Sequence, residues 1–434
     1  MKTPIYDFVT RYATSDTARL HMPGHKGKSD IERLDITEVK GADSLYNADG
    51  IIAESEKYAG ELFGTDTYYT TEGSSHAIRA MLYLVTKGKP TAKVLAARNV
   101  HRSFISAAAM LDLNVEWLGG GDYLSTNVTK EELSQRLSKM EELPSAVYVT
   151  SPDYLGGMLD IEGLSEAAHS FGVSLLVDAA HGSYLRFLER SLFPTDLGAD
   201  MCVSSAHKTL PVLTGGAYLH IGKGMAMPKD TAKAALALFG STSPSYLILA
   251  SLDCANSILR GDFRRDLSTT IDRINSLRAD LIQHGYTLFG DEPMKLTVMP
   301  KSYGFTGFEL AELLSEGGIE VEFADADYVV MMPSPSAIED IEIVKSTLLS
   351  IPRREAITDT APHIFIPPRA MSVRDAVMSH SEAINVENAL GRICAIDTVA
   401  CPPAVPIIVP GEVVTEGVLG LFSYFRIKKI FVIK

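Results

Sequence analysis

Between residues 65 and 220, short apolar segments alternate with longer segments whose apolar positions recur at helical spacing. Short apolar segments of this kind are typical of strands buried on both faces, and the alternation predicts a mainly parallel sheet wound with helices. The predicted strands are 67–71, 94–97, 115–118, 146–150 and 173–177. The predicted helices between them are 77–85, a helix that ends near residue 110, and 130–140.

The flanking parts of the chain have a different pattern. An amphipathic helix is predicted over residues 1–20, and a second helix ends at Gly64, a natural C-cap. Residues 247–284 predict a long helical segment, and residues 294–350 predict a compact α+β unit. The segment 402–412 is too rich in proline to be a central strand throughout. The predicted organisation is a helix and loop over 1–40, a large domain over 41–285, a small α+β domain over 286–352 and a C-terminal domain over 353–434.

Composition and charge narrow the class of protein. A chain of 434 residues is too long for one core, and its 46% apolar and 22% charged residues are those of an ordinary globular protein. The N-terminus has no signal-peptide core, and no apolar run reaches the length of about 18 residues that a membrane span needs. The net charge of −14 argues against nucleic-acid binding and is compatible with cationic substrates.

The cysteines indicate the redox environment. The four of them are scattered, with neither a CxxC pair nor a Cys/His cluster, which argues against a zinc site or a disulfide framework. This usage fits a reducing cytoplasm. The cysteines are Cys202, Cys254, Cys394 and Cys401.

A lysine between two predicted strands is the first candidate for chemistry. The apolar run after Asp200 leads into Ser204-Ser205-Ala206-His207-Lys208-Thr209, and a second apolar run follows Gly215-Gly216. This pattern predicts that Lys208 lies in a buried loop, where burial lowers the pKa of a lysine and a neutral amine can form a Schiff base with an aldehyde. The hydroxyls and the imidazole just before it are suitable partners for a phosphate, so pyridoxal phosphate is the candidate cofactor. The alternative is an ordinary solvated lysine.

An aspartate lies thirty residues before that lysine. Asp178 closes the predicted strand 173–177, and ligands of open α/β sheets bind at the carboxyl ends of strands. A pyridoxal phosphate enzyme needs a carboxylate that keeps the pyridine nitrogen protonated, and Asp178 has the position for it. The alternative is a helix N-cap.

Two further stretches are candidates for binding a cofactor. The strand 67–71 is followed by a Gly-Ser-Ser turn and a helix, an arrangement that cradles a phosphate with backbone N–H groups and with the hydroxyls of Ser74 and Ser75. His101 follows the strand 94–97, where its ring can stack on a cofactor. The alternatives are serine N-caps and a histidine with a structural hydrogen bond. The loop 21–27, HMPGHKG, fits either an anion site or a surface turn.

Taken in order, these motifs resemble one family, the ornithine/lysine/arginine decarboxylases of pyridoxal phosphate fold type I, the aspartate-aminotransferase-like fold. The resemblance runs from about Phe8 to about Glu416. It rests on HMPGHKG, ESEKYAGELFG, EGSSHA, NVHRSF, VDAAHG, SSAHKTLP, STSPSY and PPAVPIIVPGE. It implies an α/β fold with a mainly parallel sheet in the large domain, a small α+β domain and a short C-terminal domain.

The resemblance also implies a role for each matching residue. Lys208 is similar to the Schiff-base lysine, Asp178 to the pyridinium partner and His101 to the ring that stacks on the cofactor. His181 lies where the family has a residue beside the cofactor, and His207 or Lys208 is a candidate for returning a proton to Cα. The implied phosphate ligands are Ser74, Ser75, Ser205 and His207, with Ser241 and Thr242 reaching the phosphate from the other subunit of a dimer.

The implied activity is decarboxylation of arginine, lysine or ornithine to the amine and CO2, as in polyamine metabolism, in a homodimer or a dimer of dimers. The chain is expected to be a short form without the N-terminal wing of the large family members. It departs from the family pattern at Arg102, where the charge is kept, and at Tyr46 and Gly215. Because of the last two departures, a catalytically silent homologue that binds the cofactor stays an alternative, as does an aminotransferase or aldolase of the same fold. Candidate partners for the distal group of the substrate are Glu322, Asp325, Asp327 and Glu412, and the alternative for most of them is an ordinary solvated carboxylate.

Overall fold

The computed structural model describes residues 2–119, 124–362, 365–396 and 405–434. In these ranges the α-helices are α1 (Pro4–Ala13), α2 (Asp30–Leu34), α3 (Ile51–Phe63), α4 (Gly73–Thr86), α5 (Arg102–Leu111), α6 (Lys130–Ser138), α7 (Ile161–Ser170), α8 (Ala206–Thr209), α9 (Lys229–Phe239), α10 (Tyr246–Arg260), α11 (Phe263–His284), α12 (Gly307–Glu316), α13 (Asp340–Ser350), α14 (Val373–Met378) and α15 (Glu416–Tyr424). Short 3₁₀ helices lie at Leu45–Asn47, Ser183–Phe187, Pro194–Leu197, Pro300–Tyr303, Pro335–Ala337 and Val386–Asn388.

The strands of the described ranges are β1 (Asp66–Thr70), β2 (Lys93–Ala97), β3 (Asn114–Leu118), β4 (Ala146–Thr150), β5 (Ser174–Asp178), β6 (Met201–Ser204), β7 (Ala217–Ile221), β8 (Thr287–Phe289), β9 (Leu296–Met299), β10 (Phe323–Ala324), β11 (Val329–Met331), β12 (Ser381–Asn385), β13 (Cys394–Ile396) and β14 (Lys429–Ile433). The strands predicted between residues 65 and 220 are therefore present, with ends that differ by a residue or so.

The chain divides into two compact units. The first unit is formed by Met1–Lys89, Ser134–Ser151 and Ile161–Arg265. The second unit is formed by Pro90–Leu133, Pro152–Asp160 and Asp266–Lys434. The four-domain division predicted from the sequence stays a prediction.

In the first unit, the strands lie in the order β1-β7-β6-β5-β4. β5 is parallel to both β4 and β6, whereas β7 is antiparallel to both β6 and β1. A parallel return requires a crossover of about a dozen residues or more, usually with a helix, and the twelve-residue link between β6 and β7 holds only the single turn α8, which explains the reversal. The prediction of a mainly parallel sheet is confirmed, with β7 as the exception in this unit.

The second unit contains smaller sheets. β2 and β3 form a parallel pair joined through α5. An antiparallel sheet of order β10-β11-β9-β8 lies within the predicted α+β segment, and a second one of order β12-β14-β13 lies near the C-terminus. A buried apolar cluster that includes Leu155, Val330, Phe422 and Ile430 spans the segments of this unit.

Two predicted helices are shorter than their patterns indicate. α1 ends at Ala13, because the Thr14 hydroxyl lies within hydrogen-bond distance of the carbonyls of Thr10 and Arg11 and the Ser15 hydroxyl donates to the carbonyl of Tyr12. The segment 247–284 is broken at Gly261, which ends α10 before α11 begins. Among the helices of the described ranges, none is long and apolar enough to cross a membrane.

Candidate active site

The carboxylate of Asp178 lies at the carboxyl end of β5, as predicted. Its side chain is almost fully buried. Oδ1 accepts a hydrogen bond of 3.0 Å from the backbone N–H of Ala180, and Oδ2 accepts one of 3.2 Å from the hydroxyl of Tyr148. Burial raises the pKa of Asp178, while the charge of Lys208 and the two hydrogen bonds oppose that rise. A turn, not a helix, follows this residue, so the N-cap alternative does not hold.

Lys208 lies on the one-turn helix α8, between β6 and β7. The prediction of a buried loop is corrected here, since four residues of the link are helical and the lysine is half-buried. Its ammonium lies 3.1 Å from Nε2 of His181, which is close enough for it to donate a hydrogen bond. Three of the predicted residues, Asp178, His181 and Lys208, are thus brought together at one end of the sheet.

The neighbours of the lysine occupy defined positions. His207 is oriented by the carbonyl of Gly216, 3.0 Å from its Nδ1, and burial lowers the pKa of the imidazole, with the charge of Lys208 acting in the same direction. Ser205 is fully buried at the N-cap of α8. Within the part of the chain that the structure describes, its hydroxyl has no hydrogen-bond partner. A buried hydroxyl without a partner costs free energy, so Ser205 fits a polar ligand at this place.

The strand, the Gly-Ser-Ser turn and the helix start that were predicted to cradle a phosphate are formed by β1 and α4. α4 begins at Gly73, and Ser74 is buried in its first turn, with Ser75 half-buried beside it. The backbone N–H of Gly73 donates to the carbonyl of Gly215, 2.8 Å away, which links this helix start to the loop that carries Lys208. Gly215 has φ +98°, and a Cβ there would lie 2.8 Å from the carbonyl oxygen of Thr71. The departure from the family pattern at Gly215 therefore has a local backbone reason.

Tyr46, another position at which the chain departs from the family pattern, packs beside α4. Its ring makes an edge contact with His76, whose own nitrogens lie within hydrogen-bond distance of Thr70 and of the carbonyl of Leu236. Burial, together with the charge of Glu72, raises the pKa of the Tyr46 phenol to about 12.

The segment that carries Ser241 and Thr242 is an exposed connection between α9 and α10. The backbone N–H of Ser241 donates to the carboxylate of Glu72, 2.5 Å away, at the N-cap of α4. This contact is made within one chain. The contribution of Ser241 and Thr242 to the site of a second subunit stays a prediction.

His101 belongs to the second unit, where it is the N-cap of α5, the helix that follows β2. Its Nδ1 accepts a hydrogen bond of 3.1 Å from the backbone N–H of Ser103 and lies 2.7 Å from the hydroxyl of the same residue. The alternative of a structural hydrogen bond is therefore realised. Stacking of the half-buried ring on a cofactor stays a prediction.

The acidic candidates for binding a substrate are engaged by protein groups within the second unit. Glu412 is buried and pairs with Arg98 at 2.9 Å. Asp327 pairs with Lys301 at 2.7 Å, and Glu322 accepts a hydrogen bond from Tyr154. Asp325 accepts hydrogen bonds from backbone N–H groups of its own turn. These contacts favour a structural role for the acidic candidates.

Three of the cysteines lie in the part of the chain that the structure describes. Cys202, Cys254 and Cys394 are free thiols, and Cys401 lies outside the described residues. Within the described ranges, no group of three or more His, Cys, Asp or Glu side chains has an arrangement that can hold a metal ion.

Sequence reasoning missed Tyr148, which donates to the candidate pyridinium partner. Its residue type in a buried strand is equally typical of packing. The signal is present only once the strands are paired, since Tyr148 lies two residues before Thr150, the register partner of Asp178, and side chains at alternate positions share one face of a sheet.

The sheet and the arrangement of the lysine, the aspartate and the helix start define the class of protein, which is the pyridoxal phosphate fold type I. Comparison with known proteins defines the family. Residues 3–290 match the model of the Orn/Lys/Arg decarboxylase major domain, and residues 353–432 match that of the C-terminal domain of the same family. The chain belongs to the Orn/Lys/Arg decarboxylase family. The prediction made from the motifs is confirmed.

Its relatives include several bacterial decarboxylases. The chain is 30% identical to the arginine decarboxylase of Bacillus subtilis (strain 168), over 96% of the chain and 92% of the relative. It is 21% identical to the lysine decarboxylase LdcA of Pseudomonas aeruginosa, over 99% of the chain and 76% of the relative.

Solved structures of the family have the same fold. The lysine decarboxylase LdcF of Francisella novicida covers 100% of the chain and is itself covered to 81%, with a TM-score of 0.83 at 17% identity. The constitutive lysine decarboxylase of Escherichia coli gives a TM-score of 0.78 at 18% identity, with 100% of the chain and 82% of that structure covered. The predicted fold class is therefore confirmed.

Proposed function

We propose that this protein is a pyridoxal phosphate-dependent decarboxylase that converts a basic amino acid to the corresponding amine and CO2. The observation that carries the proposal is the ammonium of Lys208, 3.1 Å from His181 and electrostatically coupled to the buried carboxylate of Asp178. Membership of the Orn/Lys/Arg decarboxylase family supports the same reaction.

The residues of the first unit fit the cofactor by their chemistry. A buried carboxylate at a strand end suits a protonated pyridine nitrogen, and a half-buried lysine suits an aldehyde. Ser74, Ser75 and the N–H groups at the start of α4 suit a phosphate, and the buried hydroxyl of Ser205 suits the same group. When bound, pyridoxal phosphate supplies the electron sink for the pair of electrons left on Cα as CO2 departs.

Each protein group then has a defined task. The amine of Lys208 would hold the cofactor covalently. Asp178 would hold the proton on the pyridine nitrogen, and His181 accepts a hydrogen bond from Lys208 and so restrains its amine. His101 would stack on the ring, and Lys208 or His207 would return a proton to Cα.

Arginine is the first substrate that we propose, because the relatives at about 30% identity include arginine decarboxylases. Lysine and ornithine are the other basic amino acids in the proposed class of substrates. The product of arginine is its amine, agmatine, which places the reaction in polyamine metabolism. We also propose a cytoplasmic homodimer, or a dimer of dimers, in which Ser241 and Thr242 reach the phosphate of the partner subunit.

The test combines absorbance with CO2 release. The purified protein, supplied with pyridoxal phosphate, is expected to show the visible absorbance of a lysine-bound cofactor and to release CO2 from one or more of arginine, lysine and ornithine. Lys208→Ala is expected to abolish both signals, whereas Lys223→Ala, at an exposed lysine, is expected to keep both.

Three other outcomes contradict parts of the proposal. Bound cofactor without CO2 from any of the three amino acids indicates a silent homologue. Transfer of the amino group to a keto acid indicates an aminotransferase. Visible absorbance that persists in Lys208→Ala excludes Lys208 as the point of attachment.

A further inference from the structure

Tyr148 and Asp178 lie on the same face of the first unit's sheet. β4 and β5 run parallel, with Tyr148 opposite Leu176 and Thr150 opposite Asp178. Because side chains alternate between the two faces of a strand, residue 148 shares the face of residue 150, and residue 176 shares that of residue 178. Tyr148 is thus a diagonal neighbour of Asp178, and its long side chain reaches the carboxylate from the adjacent strand.

The contact is fully enclosed by protein. Tyr148 is 0% exposed and Asp178 is 2% exposed. Burial, followed by the negative charge of Asp178, raises the pKa of the phenol well above its usual value. The hydroxyl therefore stays protonated and donates to Oδ2, while the N–H of Ala180 donates to Oδ1. Each oxygen of the carboxylate has one fixed donor, so the plane of the carboxylate is defined from both sides.

These two donors oppose the rise in the pKa of Asp178 that desolvation causes. Removal of water favours the neutral acid, whereas hydrogen bonds to the carboxylate and the nearby ammonium of Lys208 favour the ionised form. The N–H of Ala180 is part of the backbone and the charge of Lys208 changes when the lysine binds an aldehyde. Among the described residues, the hydroxyl of Tyr148 is a side-chain donor that persists through that change.

We propose that Tyr148 is a positioning residue of the decarboxylase, which orients Asp178 and keeps it ionised so that it can hold the proton on the pyridine nitrogen. This inference rests on the proposed function for the identity of the cofactor. The effect on the carboxylate itself does not depend on that cofactor and can be measured without it.

The first experiment uses Tyr148→Phe without cofactor. Infrared difference spectra recorded across a pH titration, with Asp178→Asn as the blank for the assignment, follow the carboxyl stretch of Asp178. The pKa of Asp178 is expected to be higher in Tyr148→Phe than in the wild type, because a donor to the carboxylate is lost. An unchanged titration of Asp178 in a folded variant overturns the inference, whatever the activity of the enzyme.

The second experiment uses the loaded enzyme. With ¹⁵N-labelled pyridoxal phosphate, the nitrogen resonance of Tyr148→Phe is expected to move toward that of a neutral pyridine, and kcat is expected to fall about tenfold with a smaller change in KM, the size expected for one hydrogen bond to a charged group. Replacement of Tyr148 by 4-aminophenylalanine restores a donor at the same place and is expected to recover most of both signals.

Tyr218→Phe is the matched control. Tyr218 is 0% exposed on β7 of the same sheet, and within the described residues its hydroxyl has no hydrogen-bond partner. Its loss is expected to leave the titration of Asp178, the nitrogen resonance and kcat unchanged. Equal effects of the two substitutions would show that Tyr148 acts only through packing. A wild type that binds no pyridoxal phosphate would refute the proposed function while leaving the titration of Asp178 as a valid test.

Discussion

The backbone conformation of Gly215 connects the loop after Lys208 to the start of α4. Its φ of +98° is accessible to glycine and costly for other residues, and its carbonyl accepts the N–H of Gly73 at the start of α4. The same carbonyl is separated from Lys208 by only a short loop. The position of the candidate phosphate cradle relative to the lysine is therefore set by this conformation.

Gly215→Ala is expected to disturb that conformation. The added Cβ would lie 2.8 Å from the carbonyl of Thr71, and together with the strained φ we expect a loss of about 1–3 kcal/mol in the free energy of unfolding. Urea unfolding measures the stability, and titration with pyridoxal phosphate measures the affinity, which is expected to fall as well.

Gly224→Ala is the control for this substitution, because a Cβ at Gly224 meets nothing within 4 Å. That variant is expected to match the wild type in both measurements. Unchanged stability and affinity in Gly215→Ala would show that the loop relaxes without cost.

Residue-level chemistry was predictable where strand patterns flank the residue. Asp178 and Lys208 were located because each adjoins a short buried strand, which positions it at the end of a sheet. The pairing of Glu412 with Arg98 was not predictable, since the two residues lie 314 positions apart and no periodicity connects them. The helical turn at Lys208 was also missed, because four residues carry no detectable helical period.

At the scale of elements, α1 is held against α10 by a carboxylate. Oδ2 of Asp253 accepts hydrogen bonds from the backbone N–H groups of Ile5 and Tyr6, at 2.9 and 3.0 Å, and Oδ1 lies 2.5 Å from the hydroxyl of Ser55. Asp253 thereby caps the start of α1 from another helix. The side chain of Thr3, the residue at the N-cap itself, makes no such hydrogen bond.

This contact predicts a dependence of stability on pH. Burial raises the pKa of Asp253 to about 6, from the ordinary 3.8 of an aspartate, and the nearby Asp7 acts in the same direction. Between those two pH values the folded chain retains a proton that the unfolded chain has lost. The contribution of Asp253 to stability is therefore full below about pH 4 and is lost as the pH rises through about 6.

Asp253→Asn removes this titration. The free energy of unfolding of the wild type, relative to that of Asp253→Asn, is expected to fall as the pH rises from about 4 to about 6 and to be constant at higher pH. Urea unfolding of both proteins at matched pH values gives the difference. Parallel pH profiles of the two proteins would contradict a raised pKa at Asp253.

Most elements were predictable because their periodicity is long enough to be read. α3 and its left-handed C-cap at Gly64 are an example. The capping of α1 by Asp253 was not predictable, because it depends on a contact between residues nearly 250 positions apart. The direction of β7 was also not given by its pattern, which is that of any buried strand.

At the scale of the whole molecule, the proposed dimer makes a prediction about shared sites. Ser241 and Thr242 are exposed in one chain, as residues that serve a partner subunit have to be before assembly. If they bind the phosphate of the partner, each site needs Lys208 from one chain and this segment from the other.

Hybrid dimers test that arrangement. Lys208→Ala alone and Ser241→Asp/Thr242→Asp alone are each expected to be inactive, the latter because carboxylates repel a phosphate. Random mixing of the two is expected to restore about a quarter of the wild-type activity, since half of the dimers then have one intact site of two. No recovery in purified hybrids would show that each site is built from one chain.

The position of β7 between β1 and β6 has a consequence for the synthesis of the protein. Ile221, opposite Asp66 in the register of β7 and β1, follows it by 155 residues. At roughly 5–20 residues per second, the ribosome needs roughly 8–30 s to make that stretch. For that time β1 lacks its neighbour, and the start of α4 lacks the carbonyl of Gly215. A nascent chain therefore carries the β-prone segment around Tyr68 and Tyr69 without a strand to pair with, which is the interval in which a chaperone would be needed most.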